Sequence, residues 1–232
     1  MRKQFRVKRD QMGHGEKRMP KTEPKPSASP SPSKPFSFMA RLQEIGVFFE
    51  NKSPQHKTMR RLAQRLEKAA IPYAIMGAMA VNAHGARRTT DDVDVLLTRE
   101  GLEQFRRQFV GKTYDQVEGR DRRFIERRSK VGVDVLVTGL YPGRGKPGPF
   151  AFPDPREAAV KIEEIQVVSL PQLIQLKLAA RRYYDFGDVV FLIRVHNLDE
   201  SFMTQLHPSV NRDFIECLDE KRREDEYEAR QG

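Results

Sequence analysis

The sequence predicts an α/β fold of the α+β type, in which a mixed β-sheet is flanked by helices and followed by a C-terminal helical region. Short apolar runs alternate with helical periods as far as residue 168, and the pattern is helical from Leu170 onward. The strict alternation of a doubly wound parallel sheet is missing. With 232 residues, 38% of them hydrophobic, the chain can form one core of ordinary size.

The first half of the pattern gives four helices and two strands. Pro72 ends the second helix, and Gly77 separates the first strand from the next helix. The basic loop Arg87–Thr90 precedes the second strand. In chain order, the predicted elements are a helix at 38–49, a helix at 56–70, a strand at 73–76, a helix from 78, a strand at 93–97 and a helix at 99–109.

The second half contains a hairpin, a loop and further helices. Residues 124–128 and 131–137 have strand patterns joined at Ser129-Lys130, and residues 141–155 are rich in Gly and Pro. A last strand is predicted at 165–168. The helices that follow are predicted at 173–182, 187–196 and 212–230.

The first 35 residues differ from the rest in composition. They hold ten Lys or Arg against three Asp or Glu, which is most of the net charge of +10, and Pro20–Pro35 is rich in Pro, Ser and Lys. Because such a segment cannot bury enough apolar surface to offset its ordering entropy, we predict a disordered basic tail at 1–35. One interpretation is that the tail attracts RNA or another acidic surface. The other is that it is a solubilising extension, or that the gene start has been assigned too far upstream. We place one domain at 36–169 and the helical region at 170–232.

Several classes of protein are excluded by composition. No apolar run approaches the roughly 18 residues that cross a bilayer, and the first residues are charged, so we predict a cytoplasmic protein without membrane contact. The single Cys217 cannot form an internal disulfide. The five His residues have no metal-ligand spacing, which argues against a zinc site.

The sharpest chemical feature is Asp92-Val93-Asp94 within an apolar strand. Side chains alternate between the faces of a strand, so the two carboxylates share one face. Like charges so close repel each other unless a cation sits between them, and Mg²⁺ is the simplest cation to expect. Taken alone, the motif is found more often on solvated strands than at metal sites.

A third acid lies in the strand Val133–Val137. Asp134 interrupts this apolar run, where a lone carboxylate would be costly without a ligand or partner. If its strand lies beside that of Asp92 and Asp94, three carboxylates can hold two Mg²⁺ ions. We therefore predict Asp92, Asp94 and Asp134 as both metal ligands and catalytic residues.

Fifteen residues before Asp92, Gly77-Ala78 lies where a strand meets a helix. Small residues allow a close backbone approach, and a helix N-terminus offers unpaired N–H groups to a phosphate. The whole pattern is more specific than any of its parts. It consists of a strand, a small-residue turn, a helix, a basic loop and a strand with two acids.

These residues resemble a known superfamily. Gly77-Ala78, followed by Asp92-Val93-Asp94 and then Asp134, is similar to the motif of the polymerase-β-like nucleotidyltransferases. The stretches 75–81, 84–97 and 176–188 resemble the bacterial AbiEii proteins, the toxins of toxin–antitoxin systems. The resemblance covers about residues 71–193.

The resemblance implies a Mg²⁺-dependent enzyme with a nucleotidyltransferase-like sheet. Such an enzyme takes an NTP substrate and passes a nucleotidyl group to a hydroxyl of tRNA or a protein, in some cases under the control of a cognate antitoxin. It implies nucleotide-binding roles for five residues, with Lys177 as a point charge against phosphate: Gly77, Ala78, Arg88, Thr90 and Lys177.

Alternatives stay open at this stage for the function, for Lys177 and for a pair of tyrosines. The second turn residue of the family is commonly Gly or Ser, and Ala78 lacks the hydroxyl of Ser, so the alternative is a catalytically weakened nucleotide-binding or partner-binding protein of the same fold. Lys177 is either a phosphate ligand or a solvated helix charge. The Tyr183-Tyr184 pair either stacks on a base or packs in the core.

Overall fold

The computed structural model describes residues 46–48, 52–143 and 145–231, all within the second of the chain's two units, Phe38–Gly232. The predicted tail at 1–35 lies outside the described residues. Of the predicted helix at 38–49, only residues 46–48 are described, and they are helical. Among the helices of the described part, none is long and apolar enough to cross a membrane.

A mixed sheet runs through the centre of this unit. Its strands are β1 (Tyr73–Ile75), β2 (Asp92–Leu97), β3 (Tyr114–Gln116), β4 (Arg123–Glu126), β5 (Gly132–Val137), β6 (Ala159–Ile162) and β7 (Ile165–Val168). They lie in the order β3-β4-β5-β2-β1-β7-β6. β2 is parallel to β5, β1 is parallel to β7, and the other neighbours are antiparallel.

Helices flank the sheet and make up the C-terminal region. They are α1 (Pro54–Lys68), α2 (Gly77–Ala83), α3 (Arg99–Phe109), α4 (Pro155–Ala158), α5 (Leu170–Ala180), α6 (Tyr183–His196) and α7 (Asn211–Ala229). Two 3-10 helices, Glu200–Gln205 and Pro208–Val210, precede α7. The predicted fold class, a mixed sheet with flanking helices and a helical C-terminal region, is confirmed.

The two faces of the central strands differ in chemistry. On β4 and β5, buried residues alternate with partly exposed ones, so that Phe124 and Glu126 share one face and Arg123 the other. α1 and α3 cover the face of Glu126: Arg61 on α1 pairs with Glu126, and the ring of Phe105 on α3 lies 5.2 Å from that of Phe124. The opposite face carries the acids.

Two strands, β3 and β6, were not predicted, and among the predicted strands β4 differs most in its bounds. β3 and β6 were not predicted because they are short, and their Asp115, Gln116 and Lys161 do not favour strands. β4 begins at Arg123 and ends at Glu126, so Arg127 and Arg128 lie in the turn of the hairpin and not in its strand.

Candidate functional site

The three predicted acids lie on one face of the sheet. β2 and β5 are parallel neighbours whose register sets Asp94 directly opposite Asp134 and Asp92 opposite Gly132. Because side chains in register on adjacent strands point to the same side, Asp134 lies beside Asp94, and Asp92 joins them two residues earlier. Residues about 40 positions apart in the chain are thus brought together by strand pairing.

Burial and neighbouring acids make Asp94 and Asp134 harder to ionise. Burial, with the neighbouring charges of Asp92 and Asp134, raises the pKa of Asp94 to about 6, although Lys177 and Arg182 oppose the shift. Burial also raises the pKa of Asp134, Asp92 adds to the effect, and the Arg123 guanidinium opposes it. Burial is thus the main obstacle to ionising Asp94 and Asp134, and their acidic neighbours add to it.

Gly77 forms the bend against which Asp94 packs. It is the first residue of α2 and has φ +60°, and a Cβ at this position would lie 1.9 Å from Oδ2 of Asp94. The backbone N–H of Met76 donates to the carbonyl of Asp94 at 2.9 Å, which holds the bend against β2. Ala78 is buried and is not among the described residues with positive φ, so its methyl group introduces no backbone strain.

Thr90 and Arg88, both predicted to bind nucleotide, contact acids of the protein itself. The hydroxyl of Thr90 donates to Oδ1 of Asp92 at 2.9 Å, which orients that carboxylate. The guanidinium of Arg88 donates to Asp188 and lies 5.1 Å from the ring centre of Tyr184. Neither contact was predicted from the sequence.

Lys177 is buried, so of its two predicted roles the solvated helix charge is wrong. Its Nζ donates to Oδ1 of Asp185 at 3.2 Å and to Oδ2 of Asp188 at 2.6 Å, and Arg182 also donates to Asp185 at 2.6 Å. Both acids are buried. This cluster of two acids with Lys177, Arg182 and Arg88 borders Asp94, whose pKa Lys177 and Arg182 influence.

Arg123 is the site residue that the sequence prediction missed. It lies opposite Asp134 in the β4–β5 pairing, and its Nη1 is 2.6 Å from Oδ2 of Asp134 and 3.7 Å from Oδ2 of Asp92. Its position just before the predicted strand at 124–128 was the available signal, since one further residue of strand places it on the face opposite Phe124.

An open cleft of about 820 Å³ lies over the acid face. This volume is in the range of pockets that hold small-molecule ligands. Five basic side chains line it together with four acids, among them Asp121 and Asp185, so it offers cations to an anionic ligand and carboxylates to a metal. Its lining includes Gly77, Asp94, Asp134, Arg120, Arg122, Arg123, Lys177 and Arg182.

The acids suit a divalent cation in chemistry but do not form a finished site. Carboxylate oxygens are ligands that Mg²⁺ prefers, and three carboxylates share this face. Within the described residues, however, no three His, Cys, Asp or Glu side chains are grouped closely enough to hold a metal as they stand. The guanidinium of Arg123, in contact with Asp134 and near Asp92, already supplies positive charge there.

The remaining residues singled out in the sequence have clear positions. Tyr183 is 99% exposed and Tyr184 51% exposed, so neither packs in the core, and Arg182 lies 4.8 Å from the ring centre of Tyr184. His84 follows α2 and is buried, and its Nε2 donates to the carbonyl of Val168 at 2.8 Å. His84 therefore joins α2 to β7 instead of facing the cleft.

Comparisons with known proteins give similarity in structure only. No family model matches the sequence, and no curated protein matches it significantly. JHP933 from Helicobacter pylori is 15% identical, covering 65% of this chain and 70% of its own, with a TM-score of 0.40. An antigenic nucleotidyltransferase-like protein from Paracoccidioides brasiliensis is 18% identical, covering 68% of this chain and 90% of its own, with a TM-score of 0.42.

The mixed sheet and its flanking helices agree with the fold class that the sequence predicts. At these identities and TM-scores, the likeness does not bear on activity. The function proposed below therefore rests on the side chains of the site.

Proposed function

We propose that this protein is a Mg²⁺-dependent nucleotidyltransferase that passes a nucleotidyl group from an NTP to a hydroxyl of tRNA or a protein. One observation carries the proposal: Asp94 and Asp134 are register partners on adjacent strands, with Asp92 on the same face, beneath a cleft that has the Gly77 bend and five basic side chains in its lining. An apolar sheet gains nothing in stability from three adjacent acids, so their grouping points to a ligand.

The reaction forms one bond and breaks one. The acceptor oxygen bonds to the α-phosphorus, the bond from that phosphorus to the oxygen bridging the β-phosphate breaks, and pyrophosphate leaves with those electrons. The proton of the hydroxyl passes to a carboxylate, for which we propose Asp134. Mg²⁺ held by Asp92, Asp94 and Asp134 would neutralise phosphate charge during transfer.

The basic residues around the cleft would hold and orient the triphosphate. We propose backbone contacts from Gly77 and Ala78 and charge contacts from Lys177 and Arg88, with Thr90 acting through Asp92. Because Lys177 and Arg88 already pair with buried acids, phosphate must share their positive charge with Asp185 and Asp188. Their contribution to binding is thus smaller than that of a free cation.

Labelled-nucleotide transfer tests the proposal. The full chain is incubated with each α-³²P-labelled NTP and Mg²⁺, with total RNA or with protein extract as the acceptor. We expect labelled product that disappears with EDTA and falls by about 100-fold or more in Asp94→Asn, because a metal ligand is lost. Asp115→Asn is the matched control. Asp115 is an exposed acid on β3, away from the cleft, and it pairs with Arg127.

The second candidate is a nucleotide-binding or partner-binding protein of the same fold with little or no turnover. The pairing of Arg123 with the acids, and the absence of a finished metal site among the described residues, favour it. Tight NTP binding to the wild type without labelled product on any acceptor would support this candidate and end the enzyme proposal.

The AbiEii resemblance over residues 71–193 supplies a finer proposal, namely a cytoplasmic bacterial toxin restrained by a cognate antitoxin. This part rests on sequence motifs alone. A small transcription-regulator-like reading frame beside the gene would support it, whereas the transfer chemistry stands without it.

A further inference from the structure

Arg123 lies within the acid face, in a space that the neighbouring backbone leaves free for its guanidinium. β4 pairs with β5 so that Arg123, Asp134 and Asp94 form a row across three strands. Gly132 precedes Asp134 by two residues on the same face, and a Cβ there would lie 3.2 Å from Nη2 of Arg123 and 3.6 Å from Cβ of Asp92. A glycine therefore leaves the space that the guanidinium fills.

This arrangement differs from the other ion pairs of the same hairpin. Arg127 pairs with Asp115 on the open surface, where each side chain is about half exposed and one charge meets one charge. Arg123 meets two carboxylates, and a third, Asp94, lies one strand further along the row.

We propose that Arg123 is a built-in competitor of the divalent cation at Asp92 and Asp134, and that it couples metal binding to nucleotide binding. This inference rests on the proposed function. A cation that binds the two carboxylates must displace the guanidinium, because both need the same oxygens. The displaced guanidinium remains on the cleft wall with Arg120 and Arg122, where the phosphates of an NTP would receive it.

The consequence for affinity is reciprocal. Metal alone binds weakly because Arg123 must leave its acids for water, whereas metal with nucleotide binds well because the phosphates accept the released charge. Linkage requires that the metal strengthen nucleotide binding by the same factor. Arg123 thus disfavours a cleft filled with metal but no substrate.

The test measures Mn²⁺ binding by electron paramagnetic resonance at low ionic strength, where surface charges are least screened. Wild type, Arg123→Gln, Arg123→Lys and the control Arg127→Gln are each titrated with Mn²⁺ alone. We expect Arg123→Gln to bind Mn²⁺ about 5- to 10-fold more tightly than wild type, a factor typical of a lost competing ion pair. Arg123→Lys keeps the charge and stays near wild type, and Arg127→Gln is unchanged.

A second titration adds a non-hydrolysable α,β-methylene NTP. The gain in Mn²⁺ affinity caused by the analogue should be several-fold smaller in Arg123→Gln than in wild type, because the released guanidinium is missing. Equal Mn²⁺ affinity of wild type and Arg123→Gln, or an equal gain from the analogue, overturns the inference.

The two proposals fail in different ways. If no variant binds Mn²⁺, the metal-dependent function itself is wrong. If Arg123→Gln binds Mn²⁺ more tightly but no labelled product ever forms, Arg123 still competes with the metal and only the enzyme proposal falls. Unfolding curves of the variants provide the check on folding.

Discussion

β4 contributes to two clusters of acids and arginines that lie on opposite faces of the sheet. On one face, the carboxylate of Glu126 is wholly buried and accepts hydrogen bonds from Arg61, Arg65, Thr58 and Ser129. On the other, three residues earlier in the strand, Arg123 meets the half-buried acids of β2 and β5. The first cluster has more donors than acids, and the second has more acids than cations.

The balance of charge gives the clusters opposite electrostatic character. Burial opposes ionisation of Glu126, but the hydrogen bonds from its arginines and hydroxyls outweigh burial and lower its pKa to about 2. Burial and like charges raise the pKa of Asp94 to about 6. We expect the closed cluster to stabilise the fold and the open one to cost stability, which is consistent with the ligand-binding role that we propose for it.

The largest expected effect on stability comes from Glu126→Gln. It leaves Arg61 and Arg65 facing a neutral amide in the core, so we expect the free energy of unfolding at neutral pH to fall by about 3 kcal/mol. Urea unfolding measures the loss. Asp115→Asn breaks an exposed ion pair that solvent screens, so its loss of stability should be far smaller. Equal losses in the two variants would contradict the contrast between a closed cluster and a surface pair.

A smaller loss is expected for Gly77→Ala, which tests the close packing on the open side. The positive φ and the clash with Asp94 together should cost about 2 kcal/mol. Gly111→Ala is the control, because Gly111 has φ +78° but nothing within 4 Å of an added Cβ. Urea unfolding should show Gly77→Ala to be the less stable variant, and equal losses would mean that Asp94 moves aside freely.

The smallest effect has the opposite sign. Asp94→Asn removes an acid whose pKa is raised, so it should stabilise the protein by about 1 kcal/mol at pH 8 in the presence of EDTA. The gain should shrink as the pH falls through about 6 and vanish below the ordinary value of 3.8, where Asp94 is protonated in both folded and unfolded chains. Unfolding at a series of pH values measures this, and a pH-independent gain would refute the electrostatic cause.

The stability carried by Glu126 has the reverse pH dependence. Its pKa is lowered on folding, so its contribution is complete above the ordinary value of 4.5 and is lost as the pH falls toward 2. Wild type and Glu126→Gln should therefore approach each other in stability in acid, while they differ most at neutral pH.

Strand alternation predicted much of the acid face. The period of two places Asp92 and Asp94 on one side of β2, and the apolar run around Asp134 indicates a second strand. Alternation within a strand does not reveal which strands are neighbours. The parallel pairing of β2 with β5, on which the meeting of Asp94 and Asp134 depends, comes from the tertiary fold.

The charged residues around the acids were the least predictable. Arg123 was missed because arginine at the edge of an apolar run gives little strand signal. The burial of Lys177 depends on Asp185 and Asp188 from the next helix, and helical periodicity contains no information on such partners. β3 and β6 have only three and four residues, and Asp115-Gln116 in β3 and Lys161 in β6 interrupt their apolar patterns.

The cleft is assembled from distant parts of the chain. β7 pairs with β1 through Ile75 and Val167, next to the Gly77 bend, and α5 then supplies Lys177. A graft of residues 71–137 onto another scaffold would transfer Asp92, Asp94 and Asp134. It would leave behind the side of the cleft that α5 forms, including Lys177. Conversely, replacement of the segment after β5 by another sequence would change the shape of the cleft above the acids, while β2 and β5, which carry these acids, would stay the same.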